Sequence, residues 1–152
     1  MGFRDRGGLW LLPQGALLVG IVIALMSGGF DAAPVVVVLG WAVAGLGAGF
    51  GLAGMLYLGG NLSPFPAPLP GAELVDRGPY RMVRHPIYTG LILGGLGLAT
   101  ADGNWPAALM TAALTGVLAA KAGHEEGRMR RQLDGYSAYA VRVRWRLLPG
   151  VW

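Results

Sequence analysis

Thirteen residues, Gly78-Pro79-Tyr80-Arg81-Met82-Val83-Arg84-His85-Pro86-Ile87-Tyr88-Thr89-Gly90, gather two arginines, two tyrosines and one of the chain's two histidines between apolar segments. Further along, Lys121, His124, Glu125 and Glu126 stand at the end of another apolar run. Side chains of these types suit a charged ligand. A carboxylate such as Glu125 accepts charge-assisted hydrogen bonds from hydroxyls or an ammonium, Arg81 or Arg84 can hold a ligand carboxylate, and the faces of Tyr80 and Tyr88 suit a cation. Plainer readings stand beside these. His85 can cap the helix that follows, Pro86 suits a first helical turn, the glutamates can be interfacial charges and the tyrosines belt aromatics. Two histidines and no cysteine leave no metal set.

The elements that position these residues belong in lipid. Of the 152 residues, 54% are hydrophobic and 13% charged, and the mean hydropathy is +0.52. A soluble domain carries about 25% charged residues. The length fits one domain, residues 1–152. A net charge of +4 and a pI near 10.0 suit lipid headgroups and membrane topology rather than nucleic acid. The absence of cysteine excludes disulfides and a thiol nucleophile.

Four spanning helices are expected, over residues 9–28, 34–60, 86–101 and 105–120, giving an all-α membrane bundle. The first is a stretch of 20 uncharged residues, and at about 1.5 Å per residue such a stretch crosses one hydrocarbon core. The third is short and begins directly after His85. Asp102-Gly103-Asn104 reads as a tight turn that makes the last two spans a helical hairpin. With four spans, all twelve basic residues fall on the side of the N-terminus, and the two opposite loops hold only Asp31 and Asp102. This charge asymmetry puts both termini and the polar motif in the cytoplasm. The first span also has the look of a signal peptide, but its cleavage would leave the motif on the wrong side, so retention is expected.

Between the second span and the motif, Leu62-Ser63-Pro64-Phe65-Pro66-Ala67-Pro68-Leu69-Pro70 is extended and semi-rigid, because proline fixes φ and lacks a donor. It is either a linker or a cover over the site, within a loop at 61–85. The glycine pairs Gly45/Gly49, Gly47/Gly51 and Gly90/Gly94 let membrane helices approach closely. A nucleotide-binding loop would need a preceding strand, and none is visible. Residues 121–152 form a cytoplasmic segment with an amphipathic interfacial helix, in which Glu126 and Arg130 can pair at i,i+4. The alternation of Arg142, Arg144 and Arg146 with Val143, Trp145 and Leu147 suggests that helix gives way to extended chain. The segment is expected both to anchor the bundle and to wall the site.

In these residues the chain resembles the isoprenylcysteine carboxyl methyltransferase family, with its bacterial members and the related phospholipid N-methyltransferases. The likeness runs through Leu74-Val75, Gly78-Pro79-Tyr80, Arg84-His85-Pro86-x-Tyr88-x-Gly90, Glu125-Glu126 and Tyr136-x-x-Tyr139 to Pro149, roughly residues 60–150. It implies an integral, multi-pass membrane methyltransferase of the bacterial inner membrane that uses S-adenosylmethionine. It implies a cofactor held by Glu73, Leu74, Val75, Tyr80, His85, Pro86, Tyr88 and Glu125. It places Lys121 where the family has a substrate-associated arginine, a change that keeps charge and loses the bidentate fork. Lys121 and Arg84 are the expected substrate-positioning residues.

The implied partners are a lipophilic small molecule or a lipidated substrate, and membrane lipids. A carboxylate acceptor needs no base, whereas an amine or thiol needs its proton removed by His85, His124 or Glu126. Two rival readings remain: a non-catalytic subunit that kept the fold, and a sterol-reductase-like enzyme using NADPH.

Overall fold

A computed structural model describes residues 2–151. Among these residues all regular structure is helical: α1 (Leu11–Met26), α2 (Pro34–Leu58), α3 (Pro86–Ala101), α4 (Trp105–Gln132) and α5 (Tyr136–Arg142). Short 3-10 turns lie at Gly8–Trp10, Gly59–Asn61 and Gly78–Arg81. With their flanking turns, three stretches are long and apolar enough to cross a membrane: Gly8–Met26, Pro34–Asn61 and Trp105–Gln132. The 16 residues of α3 make a rod of about 24 Å, shorter than a typical hydrocarbon core.

Chemistry at the helix ends explains where each begins. Proline stands in the first turn of α2, α3 and α4, where its missing N–H has no helical partner to lose. Asn104 caps α4 by accepting from the Ala107 amide at 3.0 Å. It also donates to the Ala24 carbonyl at 2.8 Å, and the Phe30 amide reaches the Gly103 carbonyl at 3.2 Å. The expected turn at Asp102-Gly103-Asn104 is present, and it ties down the end of α1 and the loop that leads into α2.

The helices form a row, with α1 against α4, α4 against α3 and α3 against α2, while α1 and α2 scarcely meet. Glycine makes the α2–α3 contact possible. A Cβ on Gly90 would lie 2.6 Å from the Gly51 Cα and 2.7 Å from the Gly47 carbonyl oxygen, so only hydrogen fits. Gly47 and Gly51 therefore pack as the sequence suggests. A Cβ on Gly45 or Gly49 would meet nothing within 4 Å, whereas the Gly94 amide nitrogen would lie 2.5 Å from a Cβ on Gly47. Gly90 and Gly94 both meet Gly47, and Gly97 extends the same face of α3 against Ala44 and Gly40. Ile21, Ala24, Ile92, Leu114 and Leu118 fill the seam among α1, α3 and α4. Val19, Val22, Leu39, Trp41 and Leu46 point outward, as lipid-facing side chains do.

Two expectations about the last third of the chain change. The segment after Lys121 is not a separate helix: α4 runs on unbroken to Gln132. The separate helix, α5, has only 7 residues, and beyond it the chain is extended from Val143, as the arginine alternation suggests. There the backbone lies alongside the start of α3, where the Arg84 and His85 amides donate to the carbonyls of Trp145 and Arg146, both at 2.9 Å.

Candidate functional site

The start of α3 and the exit of α4 meet at the arginine-rich end of the row. Lys121 and Glu125, four residues apart on α4, share a helix face and turn toward Tyr88 in the first turn of α3. The Tyr88 hydroxyl donates to Glu125 Oε1 at 2.6 Å. His85 stacks on the Tyr88 ring with centroids 5.4 Å apart and planes 4° from parallel. Its Nδ1 faces Glu125 Oε2 at 3.5 Å, and its Nε2 lies 3.3 Å from Glu126 Oε1. The imidazole thus sits between the two neighbouring glutamates. Although His85 immediately precedes α3, its ring makes no capping bond, so the plainer reading of this histidine does not hold.

Lys121 is 1% exposed. Its ammonium donates to Gln14 Oε1 of α1 at 2.7 Å and to the Pro64 carbonyl at 3.1 Å, and it lies 3.9 Å from Glu125 Oε1. It also stands 5.3 Å from the centre of the Tyr88 ring, within cation–π reach.

These groups border a cavity of about 490 Å³. Glu73, Leu74, Val75, Tyr80, His85, Tyr88 and Glu125 all line it, as do Arg84 and Lys121. The proline-rich stretch lines it as well, from Leu62 to Pro68, so this stretch forms a wall rather than a free linker. That wall is fastened to the N-terminal segment: the Ala67 amide donates to the Arg6 carbonyl at 3.2 Å, and Arg6 covers the Phe65 ring at 3.9 Å.

Two expected residues occupy different places. Pro86 does not line the cavity. It is fully buried as the first residue of α3 and packs where a Cβ on Gly54 of α2 would meet it at 3.1 Å. Arg84 reaches the cavity, but each of its guanidinium nitrogens is bonded within the protein. Nε donates to Glu126 Oε1 at 2.8 Å and Nη2 to Glu126 Oε2 at 3.3 Å, in the bidentate manner. Nη1 donates to the carbonyls of Val143 at 2.7 Å, Arg144 at 2.8 Å and Ala140 at 3.4 Å. Arg81 is exposed and away from the cavity.

Among the bases considered, His124 is exposed, pairs with Arg128 at 3.2 Å and does not line the cavity. Glu126 is 2% exposed, and Arg84, His85, Arg146 at 3.3 Å and Arg130 at 3.9 Å surround it. The i,i+4 pair of Glu126 and Arg130 is present, though long.

Sequence reasoning missed several lining residues. Gln14 and Leu18 of α1, Met55 and Leu58 of α2, and Leu91 of α3 make one side of the cavity. Only Gln14 carries a signal, as a lone amide within an apolar span. Tyr80, Tyr136 and Tyr139 line it from the loop and α5. Burial is the main reason that all three hydroxyls are pushed well above the usual tyrosine value, so they stay neutral donors. The Tyr139 hydroxyl donates to the Tyr80 carbonyl at 2.8 Å.

Long apolar helices, and at one end of them a cavity bordered by buried charged and aromatic side chains, define a helical membrane protein with a candidate ligand site. The family model of the phospholipid methyltransferases matches residues 35–133, from the start of α2 to the residue after α4, and the chain belongs to that family. It is therefore a membrane methyltransferase by family. No curated protein matches the chain.

Proposed function

We propose that the chain is an S-adenosylmethionine-dependent methyltransferase, close in kind to the isoprenylcysteine carboxyl methyltransferases, acting on a lipophilic or amphiphilic acceptor. The observation that carries this reading is the Tyr88–Glu125 bond at the edge of the cavity, with Lys121 beside it. The donor carries a sulfonium and an ammonium, which anionic and aromatic groups suit. Glu125, Tyr80 and Tyr88 supply them, and about 490 Å³ falls within the usual range for small-molecule sites. Glu73, Leu74, Val75, Tyr80, His85, Tyr88 and Glu125 would hold the donor. When bound, it supplies an electrophilic methyl group.

The chain's own task is then alignment and exclusion of water. Glu125 takes hydroxyl or ammonium donors while Tyr88 and His85 fix its two oxygens. The proline-rich wall shields the cavity from the aqueous side. Arg84 acts as a positioning residue, since its donors hold Glu126 and the chain after α5 rather than a substrate. Lys121 remains the cation for an acceptor's charge.

A carboxylate acceptor fits these residues best. His124 lies off the cavity, Glu126 is surrounded by cations, and His85, which adjoins the site, has both ring nitrogens turned to Glu125 and Glu126, so none of the three candidate bases is aimed at an acceptor. An acceptor that needs no base suits this arrangement, and Lys121 would meet its charge. The side made by Leu18, Met55, Leu58 and Leu91 is apolar and lies where α1 and α2 leave a gap, which suits the hydrocarbon part of an amphiphile. In this reading the arginine-rich end faces the cytoplasm from a bacterial inner membrane.

Titrating the purified protein with S-adenosylmethionine and with NADPH tests the donor. Binding of the first alone supports the proposal, and binding of NADPH alone or of neither overturns it. Incubation with methyl-labelled donor and a membrane lipid extract then identifies the acceptor from the labelled product.

A further inference from the structure

The segment from Ala140 in α5 onward has two unlike sides. Toward the protein it offers a run of carbonyls: those of Ala140, Val143 and Arg144 accept from Arg84 Nη1, those of Trp145 and Arg146 accept from the Arg84 and His85 amides, and that of Leu147 accepts from the Thr89 hydroxyl. Val143 at 5% and Leu147 at 3% exposure are buried beneath it. This segment is therefore the bed on which the His85 end of the site rests.

The opposite side is exposed, cationic and apolar together. Val141 is 78% and Trp145 39% exposed, and Arg142 and Arg144 lie between them on the surface. The neighbouring Arg81 and Met82 are exposed too, Met82 at 55%. Asp76 pairs with Arg142 on this face. Arginines interleaved with Trp, Val and Met lie flat where lipid headgroups meet acyl chains, with the rings and aliphatic stems below and the charges among the phosphates. Anionic headgroups attract each arginine further, within a Debye length of the surface.

We infer that the outer face of residues 141–145, with Arg81 and Met82, docks on an anionic bilayer surface, and that this docking holds Arg84 and His85 in place. Anionic lipid is then a positive regulator of the site. The docking stands on the geometry of the tail, and its effect on donor affinity rests on the function proposed above.

The amides of Arg84 and His85 report the docking directly, because their acceptors are the Trp145 and Arg146 carbonyls. The full chain is placed in nanodiscs of phosphatidylcholine alone and in nanodiscs with one-third phosphatidylglycerol, and hydrogen exchange is followed. Exchange at these two amides is expected to slow by at least about tenfold in the anionic discs. Arg81→Gln with Arg144→Gln removes the difference, and high salt reduces it. Equal exchange in the two discs, or a difference that survives the double substitution, overturns the inference. S-adenosylmethionine affinity is measured in the same discs and rises in parallel. Failure to bind it in either disc, with the lipid effect on exchange intact, overturns the donor reading and supports the docking.

Discussion

The Tyr88 hydroxyl and Glu125 Oε1 meet at 2.6 Å across 37 positions of sequence, and this bond joins the first turn of α3 to the exit of α4. The other carboxylate oxygen faces His85 Nδ1 at 3.5 Å. Both oxygens are thus oriented before any ligand arrives, which is how a buried carboxylate becomes a specific acceptor rather than a mobile charge.

Glu125→Gln preserves the shape of that side chain and removes its charge. A hydrogen bond to a charged group contributes about 1.5–3 kcal/mol, so donor affinity is expected to fall by at least about tenfold. Membrane insertion and helix content stay as they are. Calorimetric titration with S-adenosylmethionine reads the change, and an unaltered affinity would put the donor somewhere other than this cavity.

Lys121→Ala is expected to separate the two ligands. The ammonium bonds Gln14 and Pro64 and lies 3.9 Å from Glu125, too far for a hydrogen bond to the carboxylate. Donor affinity therefore stays within a few-fold while turnover drops steeply. Single-turnover methyl transfer beside donor titration distinguishes them, and equal losses in both would refute this division of labour.

How legible all this was follows from particular residues. Pro34, Pro86 and the Asp102-Gly103-Asn104 turn marked helix limits because proline and glycine act locally. The juxtaposition of Arg84-His85, Tyr88 and Glu125 came from a family likeness in their spacing, and these residues do border one cavity. The use made of Arg84 was not legible, because its partners are backbone carbonyls of residues 140–144, and a carbonyl looks alike in every sequence. The contribution of α1 was hidden for another reason. Gln14 and Leu18 reach the cavity only because α1 packs on α4 and leaves a gap beside α2, and neighbour order in a row of apolar helices leaves little trace in composition. Glycine spacing likewise named Gly47/Gly51 correctly but could not tell that face from the open Gly45/Gly49 face.

Those two faces give a paired test of packing. Gly90→Ala forces a methyl group to within 2.6 Å of the Gly51 Cα. Backbone cannot yield as a flexible side chain can, and overpacking of this kind costs about 1–3 kcal/mol. Gly49→Ala meets nothing within 4 Å and gains helix propensity, so it is neutral or stabilising by up to about 1 kcal/mol. Thermal melts in one detergent compare them. Equal effects would mean that α2 and α3 do not pack through Gly90.

The buried tyrosines set an alkaline limit. Burial raises the hydroxyls of Tyr80, Tyr136 and Tyr139 above the ordinary value of 10.0. A group whose folded value is raised stabilises the fold through its protonated form. That contribution is complete below about pH 10 and is lost as pH climbs toward the folded values. Melting temperature is thus expected to be insensitive to these groups near neutrality and to fall above about pH 10. Among the described residues the Tyr136 hydroxyl has no hydrogen-bond partner, so Tyr136→Phe removes no bond and should shallow the alkaline fall. An identical fall in that variant would take Tyr136 out of the explanation.

Arg84→Lys decides whether the guanidinium acts as a cation or as a frame. Both side chains carry one positive charge, so a purely electrostatic role opposite Glu126 would survive the change. The structure asks for more: two parallel bonds to the carboxylate and three to carbonyls of the chain after α4. A lysine ammonium has three donors on one atom and cannot span both sets. Some carbonyls around it lose their partner, and the segment that supports His85 loosens. Breaking a buried pair outright costs about 3–5 kcal/mol. Keeping the charge while losing the frame should cost less, so Arg84→Lys is expected to fold, to melt lower than the parent and to bind the donor more weakly. Arg84→Met, which leaves Glu126 without its closest cation, should melt lower still. Wild-type donor affinity in Arg84→Lys would show that charge alone suffices at this position.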